Sequence, residues 1–470
     1  MEEETASPTP DDPRPFHRRR ETWLIIASLL LIPLSFLLPI DPAAGSRIDP
    51  DKVRLGLGVF LCIGILWMSE ALPLAATALL VPILAALTGV MDLKTALASF
   101  ADPLIFLFFG GFALASAMSA QRIDQWIANK LLIKGKGDFM RISWLVFGTA
   151  TFLSMWMSNT ATTALMIPLV LGILRKLPEG PASKRNAMYL LLGTAYASSV
   201  GGLGTVVGTP PNGIAAKQLG IGFVEWLRFG IPSVVILLFL MVLALRLSCR
   251  PGRAKFPVPE FNLMPANSRS TAMVLIFIVT GLLWISGEYL GKMVGITGST
   301  DTIVALLAVM ALVIFKTVTW KEIEKGTEWG VLLLFGGGLA LSAMLDKTGA
   351  SLFLAQKIVG LVRDWPLALV IAVSLLFVIL LGEFSSNTAT AALMVPIFHS
   401  IGLELGIAPA KLVIPIAIAS SCGFMLPVAT PPNAIVFATG GIPQREMMRA
   451  GILLDGFCLV AVTLLAWWVF

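Results

Sequence analysis

Long apolar runs alternate with short polar connectors along the chain. Apolar segments recur near 22–40, 53–71, 72–91, 103–119, 143–174, 187–208, 229–247, 271–290, 301–316, 330–345, 367–398, 412–440 and 450–470. The runs are continuous and show no period-two alternation. They therefore predict helices that satisfy their own backbone hydrogen bonds in a bilayer, not barrel strands. Two runs, 143–174 and 367–398, are too long for one crossing, and each carries Ser-Asn-Thr near its middle. The copies are "SNTATTALMIP" at 158–168 and "SNTATAALMVP" at 386–396, identical at nine of eleven positions. A polar triplet halfway along such a run predicts a re-entrant hairpin that turns at the triplet. Irregular backbone at that depth is tolerated only where protein buries it or it lines a wet cavity.

Two further motifs are paired in the same order. "FGGFALASAM" at 109–118 matches "FGGGLALSAM" at 335–344, and "TVVGTPPNGIA" at 205–215 matches "LPVATPPNAIV" at 426–436. The offsets are 226 for the first pair, 228 for the triplets and 221 for Thr-Pro-Pro-Asn. The chain is an internal duplication: repeat 1 over 53–249, a linker over 250–270 and repeat 2 over 271–470. A tail over 1–21 and a first helix with its loop over 22–52 stand outside it. The predicted class is an all-α polytopic membrane protein with an inverted repeat and two re-entrant hairpins. Interrupted segments at matching places in two halves point to a transporter site.

Thr-Pro-Pro breaks a membrane helix and starts another, with Thr as N-cap and Pro at the first helical position. The broken helices span 187–220 and 412–440. Each break frees the carbonyl before its Thr, Gly208 or Ala429, for a cation. It also aims helix N–H groups into the gap, where they favour an anion. Ser158, Asn159, Thr160, Ser386, Asn387 and Thr388 face the same cavity in this reading.

Charge narrows the picture. Hydrophobic residues make up 57% of the 470 and charged ones only 13%, too few to coat a soluble globule. The net charge of +6 lies in short connectors. With the N-terminus inside and both triplet segments re-entrant, the inside connectors hold 23 of the 34 Lys and Arg, in line with the positive-inside rule. The tail "MEEETASPTPDDPRPFHRRRE" is polar and Pro-rich, predicting cytoplasmic disorder. Four scattered cysteines and two distant histidines offer no metal cluster, and no nucleophile–base pair or nucleotide loop suggests an enzyme. The stretches 143–174, 187–216, 371–398 and 412–440 contain no Lys or Arg. An anion there must be held by dipoles, neutral donors and bound cations, and Na⁺ suits the available oxygens. Glu383 is the one acid in these stretches and a candidate for cation coupling or proton sensing.

Paired Ser-Asn-Thr and Thr-Pro-Pro-Asn motifs in two inverted halves resemble the divalent anion–sodium symporter family, the INDY-type dicarboxylate transporters. The resemblance covers almost the whole chain beyond the tail. It implies a homodimer in the bacterial inner membrane, with about eleven spanning helices and two re-entrant hairpins per protomer, and elevator-type alternating access, in which a transport domain slides against a scaffold that forms the dimer contact. It implies substrate contacts from Ser158, Asn159, Thr160, Thr209, Pro210, Ser386, Asn387, Thr388, Thr430 and Pro431. It also implies one Na⁺ site from Ser154, Ser158, Asn159 and Gly208, and a second from Gly382, Ser385, Asn387 and Ala429. Gly382 departs from the Thr common in sodium-coupled members. The expected function is Na⁺-coupled uptake of succinate, malate and fumarate, with no cofactor. The alternatives are a dicarboxylate, citrate or tartrate exchanger, or a carrier of sulfate or another anion.

Overall fold

The computed structural model describes residues 20–40, 49–177, 181–255, 267–295 and 299–468. Most of the expected tail 1–21, and 256–266 of the expected linker 250–270, lie outside these residues. The described chain is helical throughout, without a β-strand; a lone bridge joins Asp138 and Lys255. Six of its helices are long and apolar enough to cross a membrane: Pro50–Ser69, Leu93–Ala120, Phe223–Cys249, Ser268–Gly287, Trp329–Thr348 and Gln444–Trp467. Shorter apolar helices fill the space between them, including Leu74–Leu87, Thr300–Ile314, Ala350–Val362, both arms of the first hairpin and the incoming arm of the second.

Local chemistry sets the helix starts. Asp49 with Pro50, and Asp102 with Pro103, each pair an Asx cap with proline at the first position, where no N–H is needed. Asp138 accepts from Arg141 N and opens Phe139–Ser154. The outward faces stay apolar: Leu275, Ile278, Val279, Leu282 and Ile285 are all more than half exposed on Ser268–Val294. A face of that kind suits lipid and not water.

The two repeats exchange helices. Leu74–Leu87 of repeat 1 packs along Trp329–Thr348 of repeat 2, and Thr300–Ile314 of repeat 2 packs along Pro103–Ala120 of repeat 1. The duplicated Phe-Gly-Gly motif makes this approach possible. A Cβ on Gly337 would sit 2.6 Å from Ala78 Cβ, and one on Gly110 would sit 2.6 Å from Ala305 Cβ. A second match marks the same symmetry. Trp67 Nε1 donates to Leu74 O at 3.2 Å, and Trp284 Nε1 donates to Asp301 O at 3.0 Å. Each indole thus ties a long helix to the start of the short one that follows it.

Candidate functional site

Both triplets lie at turns between antiparallel arms. Repeat 1 runs Phe139–Ser154, a turn, then Asn159–Leu174; repeat 2 runs Leu367–Gly382, a turn, then Asn387–Glu404. Ser158 is the N-cap of its outgoing arm and accepts from Ala161 N at 3.3 Å. Ser386 stands at the same place without a side-chain cap bond. The Thr-Pro-Pro-Asn breaks are equally matched. Helix Pro181–Gly202 ends, and Pro210–Leu219 begins after extended Thr209. Helix Ala410–Ser420 ends, and Pro431–Phe437 begins after extended Thr430. Thr430 caps Asn433 N, whereas Thr209 makes no side-chain cap bond.

The breaks cross between repeats. Pro210–Leu219 packs on Asn387–Glu404 and Ala410–Ser420 of repeat 2. Pro431–Phe437 packs on Asn159–Leu174 and Pro181–Gly202 of repeat 1. All four motif copies are therefore parts of one interlocked unit, and each begins a helix. Helix starts present free N–H groups and partial positive charge, which favour an anion without any fixed cation. The nearest basic side chain on these helices, Lys217, is taken by Asp102 at 2.6 Å.

The expected cation ligands can be followed residue by residue. Ser154 Oγ donates to Asn159 Oδ1 at 2.7 Å. Asn159 Oδ1 lies against Gly202 Cα, so that a Cβ there would collide with it, and Gly208 O would be 3.2 Å from the same Cβ. Hairpin tip and break carbonyl therefore meet around Gly202. In repeat 2 the equivalent glycine is Gly423, where a Cβ would be 3.3 Å from Ala429 Cβ and 3.4 Å from Gly382 O. Gly382 and Ala429 meet there as Asn159 and Gly208 do around Gly202, with Gly382 offering its carbonyl. The two places are not identical. Ser385 turns its hydroxyl to Thr390 Oγ1 at 2.6 Å, inside its own hairpin. Asn387 Oδ1 is buried and finds no donor, because no hydroxyl stands where Ser154 does.

Ser158, Asn159, Thr160, Ser386, Asn387 and Pro210 are half-buried; Thr209, Thr388 and Thr430 are buried; Pro431 is exposed. Glu383 is fully buried. Its Oε1 accepts from Met425 N at 3.0 Å and its Oε2 from Leu426 N at 2.9 Å. The carboxyl of Asp455, on the final helix, is buried near Glu383, and neither of its oxygens has a hydrogen-bond partner.

The last residue of Thr-Pro-Pro-Asn was absent from the expected site, yet it organises both breaks. Asn212 Nδ2 donates to Gly202 O at 2.9 Å and Thr205 O at 2.7 Å. Asn433 Nδ2 donates to Gly423 O at 3.1 Å and Leu426 O at 2.9 Å. In both copies the acceptors lie ten and seven residues upstream. The signal was available: an amide retained in both copies of a motif whose prolines leave carbonyls unpaired.

The citrate transporter family matches residues 64–396 and again 293–470. An uncharacterized transporter of Haemophilus influenzae is 44% identical over 446 residues, covering 93% of this chain and 94% of that one. The sodium-dependent dicarboxylate transporter SdcS of Staphylococcus saprophyticus is 33% identical over 475 residues, covering 94% and 91%. Among solved structures, the YdaH transporter of Alcanivorax borkumensis aligns with a TM-score of 0.58 at 15% identity, covering 95% of this chain and 98% of that one. That likeness concerns the fold alone. Two motif pairs in one interlocked helical unit, a family match spanning both halves and relatives that are themselves transporters lead to one conclusion: the chain belongs to the citrate-transporter family, as a multi-pass membrane transporter of the divalent anion–sodium symporter type, and is not an enzyme.

Proposed function

We propose that this transporter couples Na⁺ entry to uptake of C4-dicarboxylates such as succinate, malate and fumarate. One observation carries the reading: in each repeat a hairpin tip meets the break beside it next to helix N-termini where no Lys or Arg is present, Asn159 Oδ1 with the Gly208 carbonyl in repeat 1 and the Gly382 carbonyl with Ala429 in repeat 2. Burying a dianion without compensation is costly. Bound Na⁺ supplies that compensation, held by carbonyl, hydroxyl and amide oxygens, which suit a hard cation. Ser154, Ser158, Asn159 and Gly208 would hold one ion, and Gly382, Ser385, Asn387 and Ala429 the other. Ser158, Asn159, Thr160, Thr209 and Pro210, with Ser386, Asn387, Thr388, Thr430 and Pro431, would grip the carboxylates. The name of the staphylococcal relative supports both the ion and the substrate class.

The same reading makes the protein a homodimer in the bacterial inner membrane, N-terminus inside, working by an elevator movement of the hairpins and breaks. The exchanger reading keeps one observation in its favour: the second cation place lacks a side-chain hydroxyl at Gly382. Uptake of labelled succinate into proteoliposomes separates the two. Accumulation driven by an inward Na⁺ gradient is the expected result. Uptake only into vesicles preloaded with unlabelled dicarboxylate, indifferent to Na⁺, would replace symport by exchange. Asn159→Ala and Asn387→Ala should each abolish uptake while the assembled protein persists; full activity in both would remove the site.

A further inference from the structure

We propose that Thr205 and Glu383 are matched positioning residues, each fastening a hairpin tip to the break beside it. The repeat offsets supply the comparison. Met155 and Glu383 are equivalent at the tips, 228 residues apart, and Thr205 and Leu426 are equivalent in the breaks, 221 apart. In repeat 1, Thr205 Oγ1 donates to Met155 O at 2.5 Å. In repeat 2, Leu426 N donates to Glu383 Oε2 at 2.9 Å, and Met425 N to Oε1 at 3.0 Å. The same two positions are joined in both halves with the polarity reversed. The break supplies the side chain in one repeat and the hairpin supplies it in the other. Two unrelated residue types at non-matching positions thus perform one task, which a comparison of side chains alone would miss.

The far side of each stapled residue is held as well. Asn212 takes Thr205 O, and Asn433 takes Leu426 O. Residues 205 and 426 are therefore fixed between the tip in front and the next half-helix behind. This matters because neither tip nor break is a cation site by itself. Ser154 and Asn159 come from a tip and Gly208 from a break; Gly382 and Asn387 come from a tip and Ala429 from a break. The staple sets the separation of the two ligand halves before any ion arrives, which is what preorganisation requires. A carboxylate suits the second staple because it accepts two adjacent backbone N–H groups at once. Gln could accept one and would turn an amide N–H toward the other.

The consequence for ion binding rests on the Na⁺ reading above; the staple itself does not. The test therefore uses two measurements on the full-length protein carrying Thr205→Val, Thr205→Ser, Glu383→Gln or Glu383→Ala. The first is amide hydrogen exchange without Na⁺ or dicarboxylate. Met425 and Leu426 should lose at least tenfold protection in Glu383→Ala, less in Glu383→Gln, with the long helices unchanged. The second is the Na⁺ concentration for half-maximal succinate uptake. It should rise about fivefold in Thr205→Val, the size expected for one lost hydrogen bond, and return toward the parent value in Thr205→Ser. Unchanged protection at Met425 and Leu426 in Glu383→Ala overturns the second staple. An unchanged Na⁺ requirement in Thr205→Val overturns the first. If the parent protein shows no Na⁺-dependent uptake, the proposed function fails, and exchange at residues 155–158 in Thr205→Val decides the first staple: faster exchange supports it, and unchanged exchange overturns it.

Discussion

At the scale of single residues, the two halves of the site differ by a hydroxyl. Ser154 gives its proton to Asn159 Oδ1, which orients the amide. Gly382 cannot do this, and Asn387 Oδ1 is left without a donor. There is room to repair the difference, since a Cβ on Gly382 would meet only Ser420 O, at 3.7 Å. Gly382→Ser should therefore be accepted by the fold. It should lower the Na⁺ concentration for half-maximal uptake by about fivefold, in line with roughly 1 kcal/mol for a new hydrogen bond. A Na⁺ titration of uptake checks this; a rise would mean that the site uses the space itself. The Asp455–Glu383 contact makes a parallel prediction. Asp455→Asn offers an N–H donor to the Glu383 carboxylate and should retain most transport. Asp455→Leu fills the space without a donor and should lose most of it, at comparable protein yield.

At the scale of elements, the breaks are loops that must not relax. Residues 203–209 and 421–430 leave the helical hydrogen-bond pattern, and the Asn clamps return two bonds to each. The closing helices press on the same loops. A Cβ on Gly230 would sit 2.5 Å from Gly204 O, and one on Gly451 would strike Phe424 O. Removing a clamp strands one buried carbonyl, Gly202 O or Gly423 O, and leaves Thr205 O or Leu426 O with only the backbone donor Gly208 N or Ala429 N. Asn212→Ala and Asn433→Ala should each cost about 1–3 kcal/mol. Asn433→Asp should be no milder, because an ionised carboxylate cannot donate. Thermal unfolding of the purified variants measures both. Much of this element-level architecture was legible beforehand. Over-long apolar runs with a polar centre announce a turn, and Thr-Pro-Pro announces a helix start, because both signals are local. Glu383 was visible as an acid among apolar residues, but its partners, Met425 and Leu426, lie more than forty positions away. Periodicity reports which residues are buried and not what buries them. The exchange of Leu74–Leu87 and Thr300–Ile314 between repeats was hidden for that reason.

At the scale of the whole molecule, the pseudo-symmetry is broken at the hairpin tips. Trp156 stacks on Trp284 with ring centroids 6.1 Å apart and planes within 6°, and meets Phe277 edge-on at 5.0 Å. Its repeat equivalent, Phe384, is 70% exposed. The aromatic residue of one tip is docked on a long helix of the other repeat, and that of the other tip faces outward. Equivalent sequences in unequal environments are what an alternating two-state machine requires in either of its end states. Under the elevator reading, with helix Ser268–Val294 assigned to the scaffold and the hairpins to the moving unit, the Trp156–Trp284 contact opens in each cycle, so a bond across it should stop transport. With the four native cysteines, Cys62, Cys249, Cys422 and Cys458, replaced by alanine, Trp156→Cys with Trp284→Cys is the pair a thiol reagent can join. A short bifunctional thiol reagent should abolish uptake by the double variant, and a reversible form of the reagent should restore it on reduction. Each single variant should be indifferent to the reagent. Undiminished turnover in the cross-linked protein would mean that tip 1 and helix Ser268–Val294 travel together, which would move that helix from the scaffold to the moving unit.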